Sequence, residues 1–188
     1  MSRLERKSYA ELTTEQKEAF DKVVADRPVQ PTDGHIGGPF DIWIRNPELG
    51  QRLVGLGGLF RFRTSVDRRY VELAILVTGQ FCQAQFEWWA HEPMAREAGV
   101  PEVIIQSIKA GEAPSLSDEG DKAAYALANE LHRTHKLSDE TFAAAKVQFG
   151  ETGVAELIGL CGFYGLVSMT LNGFDVGLPE GATAPFSK

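Results

Sequence analysis

Between Tyr70 and Gly79 the chain reads YVELAILVTG, apolar almost throughout except for Glu72. A helix that is apolar on all sides belongs inside a protein, so this run obliges the rest of the chain to cover it. The lone acid is either an edge residue paired with Arg68 or Arg69 on its own helix, or an acid held inside a core. The apolar residues on both sides favour the core, where loss of solvent raises the pKa of a carboxyl group. The next segment, QFEWWAHEPMAREAG, sets Glu87 and His91 four residues apart, on one face of a helix and within reach of each other. Two carboxylates and an imidazole on successive helices, beside Trp88 and Trp89, have the make-up of a small acid–base site.

The remaining segments predict helices and no alternating strand, so the class is all-α. Thr13 or Thr14 caps a first helix that Pro28 ends, and residues 28–41 form a Gly/Pro-rich loop. Pro47 starts the next helix. Its Gly55, Gly57 and Gly58 follow no strand, so they read as close helix packing and not as a dinucleotide fingerprint. Asp67 caps the helix that carries Glu72, and Gly99 ends the one that carries His91. Pro93 predicts a kink or break near His91. Further helices are expected from Pro101 to Lys109, from Ser117 or Asp118 to about Thr134, from Ser138 to Phe149 and from Val154 to about Leu171. The whole chain, 1–188, reads as one domain, with a loop-rich N-terminal extension over about 1–46 packing on it.

A net charge of −7 argues against a nucleic-acid partner. The N-terminus lacks the apolar core of a signal peptide, and no run is read as crossing a bilayer; a cytoplasmic protein is expected. Cys82 and Cys161 form neither a disulfide framework nor a metal-ligand spacing. His132 and His135 near Glu130 read as a solvated helix end, so no metal and no cofactor is expected.

Glu72, Glu87-Trp88 and His91, preceded by ELAIL, together resemble the carboxymuconolactone decarboxylase family. The likeness extends upstream to GGPFDIWIRNPELG and downstream to GVPEVIIQSIKAG. That resemblance implies the all-helical AhpD-like fold, a helical array or bundle, and assembly as a trimer or hexamer. In the hydroperoxidase branch the motif reads Glu, eleven residues, C-x-x-C, three residues, His. Glu72 and His91 match its outer positions, but Ala84 and Glu87 stand at the two cysteine positions, and Cys82 lies two places early.

The reading is a cofactor-free acid–base enzyme resembling 4-carboxymuconolactone decarboxylase, with Glu72, Glu87 and His91 as catalytic residues. Its substrate would be a small carboxylated lactone or a β-keto-acid-like molecule. The alternatives are an AhpD-like alkylhydroperoxidase with peroxiredoxin-type activity, weakened by the absent C-x-x-C, and a non-catalytic oligomer that binds a small ligand. Expected substrate contacts are His35 and Trp43 from the Gly-rich loop and its apolar continuation, Trp88, and an arginine. Arg45, Arg68 and Arg69 are open choices for gripping a carboxylate with a bidentate fork. His35 reads equally as a solvated loop histidine, and Trp88 as core.

Overall fold

The computed structural model describes residues 2–5, 7–26, 31 and 34–187; the expected stop at Pro28 lies outside them. Among the described residues there are helices and no strand. Helix α1 spans Thr14–Asp26, a single turn α2 spans Phe40–Trp43, and α3 spans Pro47–Phe62. Helices α4 (Arg68–Phe81), α5 (Gln85–Glu97), α6 (Glu102–Lys109), α7 (Glu119–Thr134) and α8 (Asp139–Gly173) follow.

The apolar run becomes the centre of the array. Every residue from Val71 to Gly79 is buried, and α4 packs against α3, α5, α6, α7 and α8. Burying a Leu, Ile or Val side chain contributes roughly 1.5–3 kcal/mol, and α4 brings Leu73, Ile75 and Leu76 to 1% exposure or less. The caps form as the residue types dictate. Asn46 accepts from Leu49 N ahead of Pro47, Asp67 from Arg69 N, Asp118 from Asp121 N and Ser138 from Thr141 N. Glu156 of α8 holds the turn before α4, accepting from Thr64 Oγ1 at 2.7 Å and from Ser65 N at 2.8 Å.

Three expectations need correcting. Pro93 does not break α5, which runs through it. The ring and Trp89, whose carbonyl loses its partner, are both exposed, so water meets the freed acceptor. Gly55 and Gly58 have nothing within contact distance of an added Cβ, so they mediate no close packing within this chain. The close approaches are elsewhere: Gly50 against the Trp43 carbonyl, and Gly159 against Phe60, where a Cβ would lie 2.7 Å from the ring. Helix α8 joins the two expected helices across a break at Gly150 (φ 66°, ψ 176°), and is long and apolar enough to span a bilayer. Its buried face nonetheless packs on α4 and α7 as a core helix does.

The N-terminal segment adds a small second core, in which Leu12, Ala19 and Phe20 close on Ile44. Arg3 fastens it to the end of α8 through the carbonyls of Gly173 and Phe174. The single turn α2 packs on α3, with Gly50 against the Trp43 carbonyl and Trp43 buried at 5% exposure.

Candidate functional site

Only Cys82, Gln83 and Ala84 separate α4 from α5, so the two helices are close neighbours and Glu72 is brought to His91. Oε2 of Glu72 lies 2.7 Å from Nδ1 of His91, and both residues are buried, at 1% and 5% exposure. Nε2 of His91 lies 3.1 Å from Oε1 of Glu87. That contact is an ion pair without the alignment of a hydrogen bond, so Oε1 stays buried and unmatched. Glu87 stands in the first turn of α5, where unpaired backbone N–H groups favour negative charge. The other oxygen of Glu72 faces Arg68 Nε at 4.0 Å. Tyr164 of α8 sets its ring edge-on to the imidazole at 5.1 Å.

Burial is the largest single influence on His91 and pushes its pKa down. The charge and short contact of Glu87 and the hydrogen bond to Glu72 together outweigh it and raise the pKa to about 9. At neutral pH the ring is an imidazolium with a proton on each nitrogen.

His91 and Glu87 open onto a cavity of about 310 Å³. Its walls are largely aromatic, with Phe40, Trp43, Phe86, Phe163 and Tyr164, and its polar lining also includes Arg61. Phe163 is backed by Phe60, ring to ring at 5.9 Å, and Phe60 in turn fills the space left by Gly159. The indole N–H of Trp43 and the Nε of Arg61 are buried without partners. Burying a polar group unmatched costs about 1–3 kcal/mol, and here three such atoms belong to residues lining one cavity.

Of the expected ligand contacts, Trp43 alone lines this cavity. His35 lines a separate, wider cleft with Asp41 Oδ2 at 3.5 Å, and Phe86 borders both spaces. Arg45 reaches back to the Glu5 carbonyl at 2.9 Å. Arg69 is committed to Asp121 through Nε at 2.9 Å and through Nη2. Trp88 is fully buried, packs edge-on to Phe186 and donates to Glu92. The missed residue is Arg61. Its signal is its position seven residues before Arg68, in the last turn of a helix whose glycines leave one side bare; spacing alone could not show that Gly57 and Arg61 face α5.

The thiols are poorly suited to act as nucleophiles. Burial, and beyond it the charge of Glu87, raise the pKa of Cys82, and burial pushes that of Cys161 to about 12. His132 serves structure: it stacks on Phe81, and its Nε2 lies 2.8 Å from Thr78 Oγ1. Because that hydroxyl donates to the Ala74 carbonyl, it accepts from the ring N–H. Among the described residues no cluster of three or more His, Cys, Asp or Glu is placed to hold a metal.

No protein-family profile matches the chain, and no curated protein matches it. Among solved structures it is similar to an uncharacterized peroxidase-related protein from Ralstonia eutropha JMP134, described as an alkylhydroperoxidase AhpD core. The TM-score is 0.75 at 15% identity, over 95% of this chain and 93% of that one. The fold is therefore AhpD-like.

Proposed function

We propose that this chain is a cofactor-free acid–base enzyme, resembling 4-carboxymuconolactone decarboxylase, that acts on a small carboxylated lactone or β-keto-acid-like substrate. The observation that supports it is a buried imidazole held between two buried carboxylates at the wall of an aromatic cavity. Glu72, behind the ring, fixes its orientation, and Nε2 and Glu87 meet the substrate. In the reaction the bond from carbon to carboxylate breaks and its electron pair passes into the conjugated carbonyl as an enolate. Carbon dioxide leaves, and a proton from His91 ends on carbon. A cation beside the enolate oxygen stabilises charge that develops only in the transition state. Carbon dioxide release from a panel of small carboxylated lactones and β-keto acids tests the proposal. Absence of turnover across the panel would count against it.

The second reading, peroxidase chemistry, is favoured by the similar structure being a peroxidase-related protein. It needs a thiolate, and both cysteines are held as thiols. Cys82→Ser should leave native activity within about twofold; complete loss of peroxide reduction in a folded variant would favour this reading instead. We also propose assembly as a trimer or hexamer, supported by exposed Leu56, Leu59 and Phe62 on α3 and by Ile158, Leu166 and Met169 on α8. Light scattering at micromolar concentration checks it, and a monodisperse monomer would refute it.

A further inference from the structure

Among the described residues Arg61 is paired with no acid. Its Nη2 donates to the thioether of Met94 at 3.0 Å, its guanidinium carbon lies 4.8 Å from the ring centre of Phe62, and its Nε is buried without a partner. Sulfur of this kind is a weak acceptor, whereas a guanidinium offers five N–H donors shaped for a carboxylate. Among the described residues no carboxylate lies within ion-pair distance of it. Other arginines meet acids, Arg52 on Glu48, Arg68 on Glu72 and Glu97, Arg69 on Asp121, and Arg96 on Glu92 and Glu102; Arg63 reaches the Gly55 carbonyl, but it does not line the cavity.

Arg61 is also placed in register with the acid–base pair. Glu87, His91 and Met94 follow at helical spacing along the face of α5 that lines the cavity. At 1.5 Å of rise per residue, Met94 lies roughly 5 Å along the axis beyond His91 and roughly 10 Å beyond Glu87. A group gripped beside Met94 therefore leaves the next few bonds of a ligand at His91, with the aromatic walls around its body. At about 310 Å³ the cavity is at the small end of ligand sites, which span about 300–1,000 Å³.

We propose that Arg61 is the specificity-determining residue of this cavity, selecting small aromatic or unsaturated acids by a carboxylate that remains on the substrate throughout the reaction. The proposal rests on the acid–base reading for the location of the reacting carbon. A cation paired with the departing carboxylate would stabilise the ground state and oppose its loss, so the carboxylate at Arg61 is a second one. The substrate thus carries two acidic groups, or an acid and an acidic enol, and the product keeps one charge.

Calorimetry of the full-length chain at pH 7 with two inert probes of one shape, 3-phenylpropanoate and 3-phenylpropanamide, provides the test. The wild type should bind the anion at least tenfold more tightly than the amide. Arg61→Gln should bring that ratio close to one, and Arg61→Lys should retain part of it. Far-UV circular dichroism of both variants establishes that they fold; should Arg61→Gln not fold, the Lys variant decides by a ratio between those limits. An equal affinity for the two probes, no binding of either, or a ratio unchanged by substitution would overturn the proposal. Because neither probe reacts, a chain that releases no carbon dioxide yet prefers the anion would sink the acid–base reading and leave the anion site standing.

Discussion

On the side of α4 that faces α7, Arg69 meets Asp121 in a two-pronged pair. On the side that faces α5, Glu72 meets His91, with Glu87 beyond it. Both pairings bury an acid to 1% exposure, and Arg69 and Glu72 are one helical turn apart. The first pairing is closed: both oxygens of Asp121 are taken, and neither residue lines the cavity. The second is open: Glu87 Oε1 is unmatched, and two of its three residues line the cavity. The two histidines that contact α4 repeat the contrast. Burial, and then the charge of His135, lower the pKa of His132 beside Thr78, whereas two carboxylates raise that of His91. Buried charge by itself marks nothing; buried charge with an unmet partner at a cavity marks a site.

The sharpest way to break the comparison is to disable each side in turn. His91→Gln keeps a hydrogen-bonding side chain but removes the proton. On the acid–base reading it should lower turnover roughly a thousandfold with the helical circular dichroism signal retained. An undiminished rate of carbon dioxide release would reduce the α5 side to a structural pair like its neighbour. Arg69→Met should do the reverse. It leaves Asp121 buried and unpaired, costing about 3–5 kcal/mol in a urea titration, while the folded fraction keeps its activity.

A pH titration sharpens the same contrast with a smaller effect. His91 titrates at about 9 when folded against an ordinary 6.5, so between these values the folded state holds a proton that the unfolded chain has released. Its contribution to stability is complete below pH 6.5 and is lost as the pH rises through 9, at most about 3 kcal/mol. Thermal melts from pH 6 to pH 10 should show that decline in the wild type and a flatter profile in His91→Gln. Parallel profiles would mean that the imidazole gains nothing from its carboxylates.

Much of this was legible in the residues. The YVELAILVTG run predicts a helix enclosed on all sides, and α4 is one; the caps at Asp67 and Ser138 act where residue type places them. The convergence of Glu72, Glu87 and His91 follows from four-residue spacing within α5 and a three-residue turn before it. Ligand contacts were less legible because they depend on which helix faces lie opposite one another. Arg69, in the first turn of α4, and Arg61, in the last turn of α3, are the same residue type, yet one meets an acid from α7 and the other a methionine from α5. No local pattern states that difference, since Asp121 is 52 residues from Arg69 along the chain. Pro93 misleads for a related reason: the cost of the missing hydrogen bond depends on whether that helix face meets water.

Gly159 meets no ligand and holds no charge, yet it sets how far Phe60 can lean away from Phe163. One added methyl would push the first ring onto the second and narrow the chamber from behind its wall. On the acid–base reading, inherited changes in substrate choice therefore need not begin among the residues that line the cavity. A neutral drift between glycine and alanine at this hidden position would retune the chamber while leaving its chemistry intact.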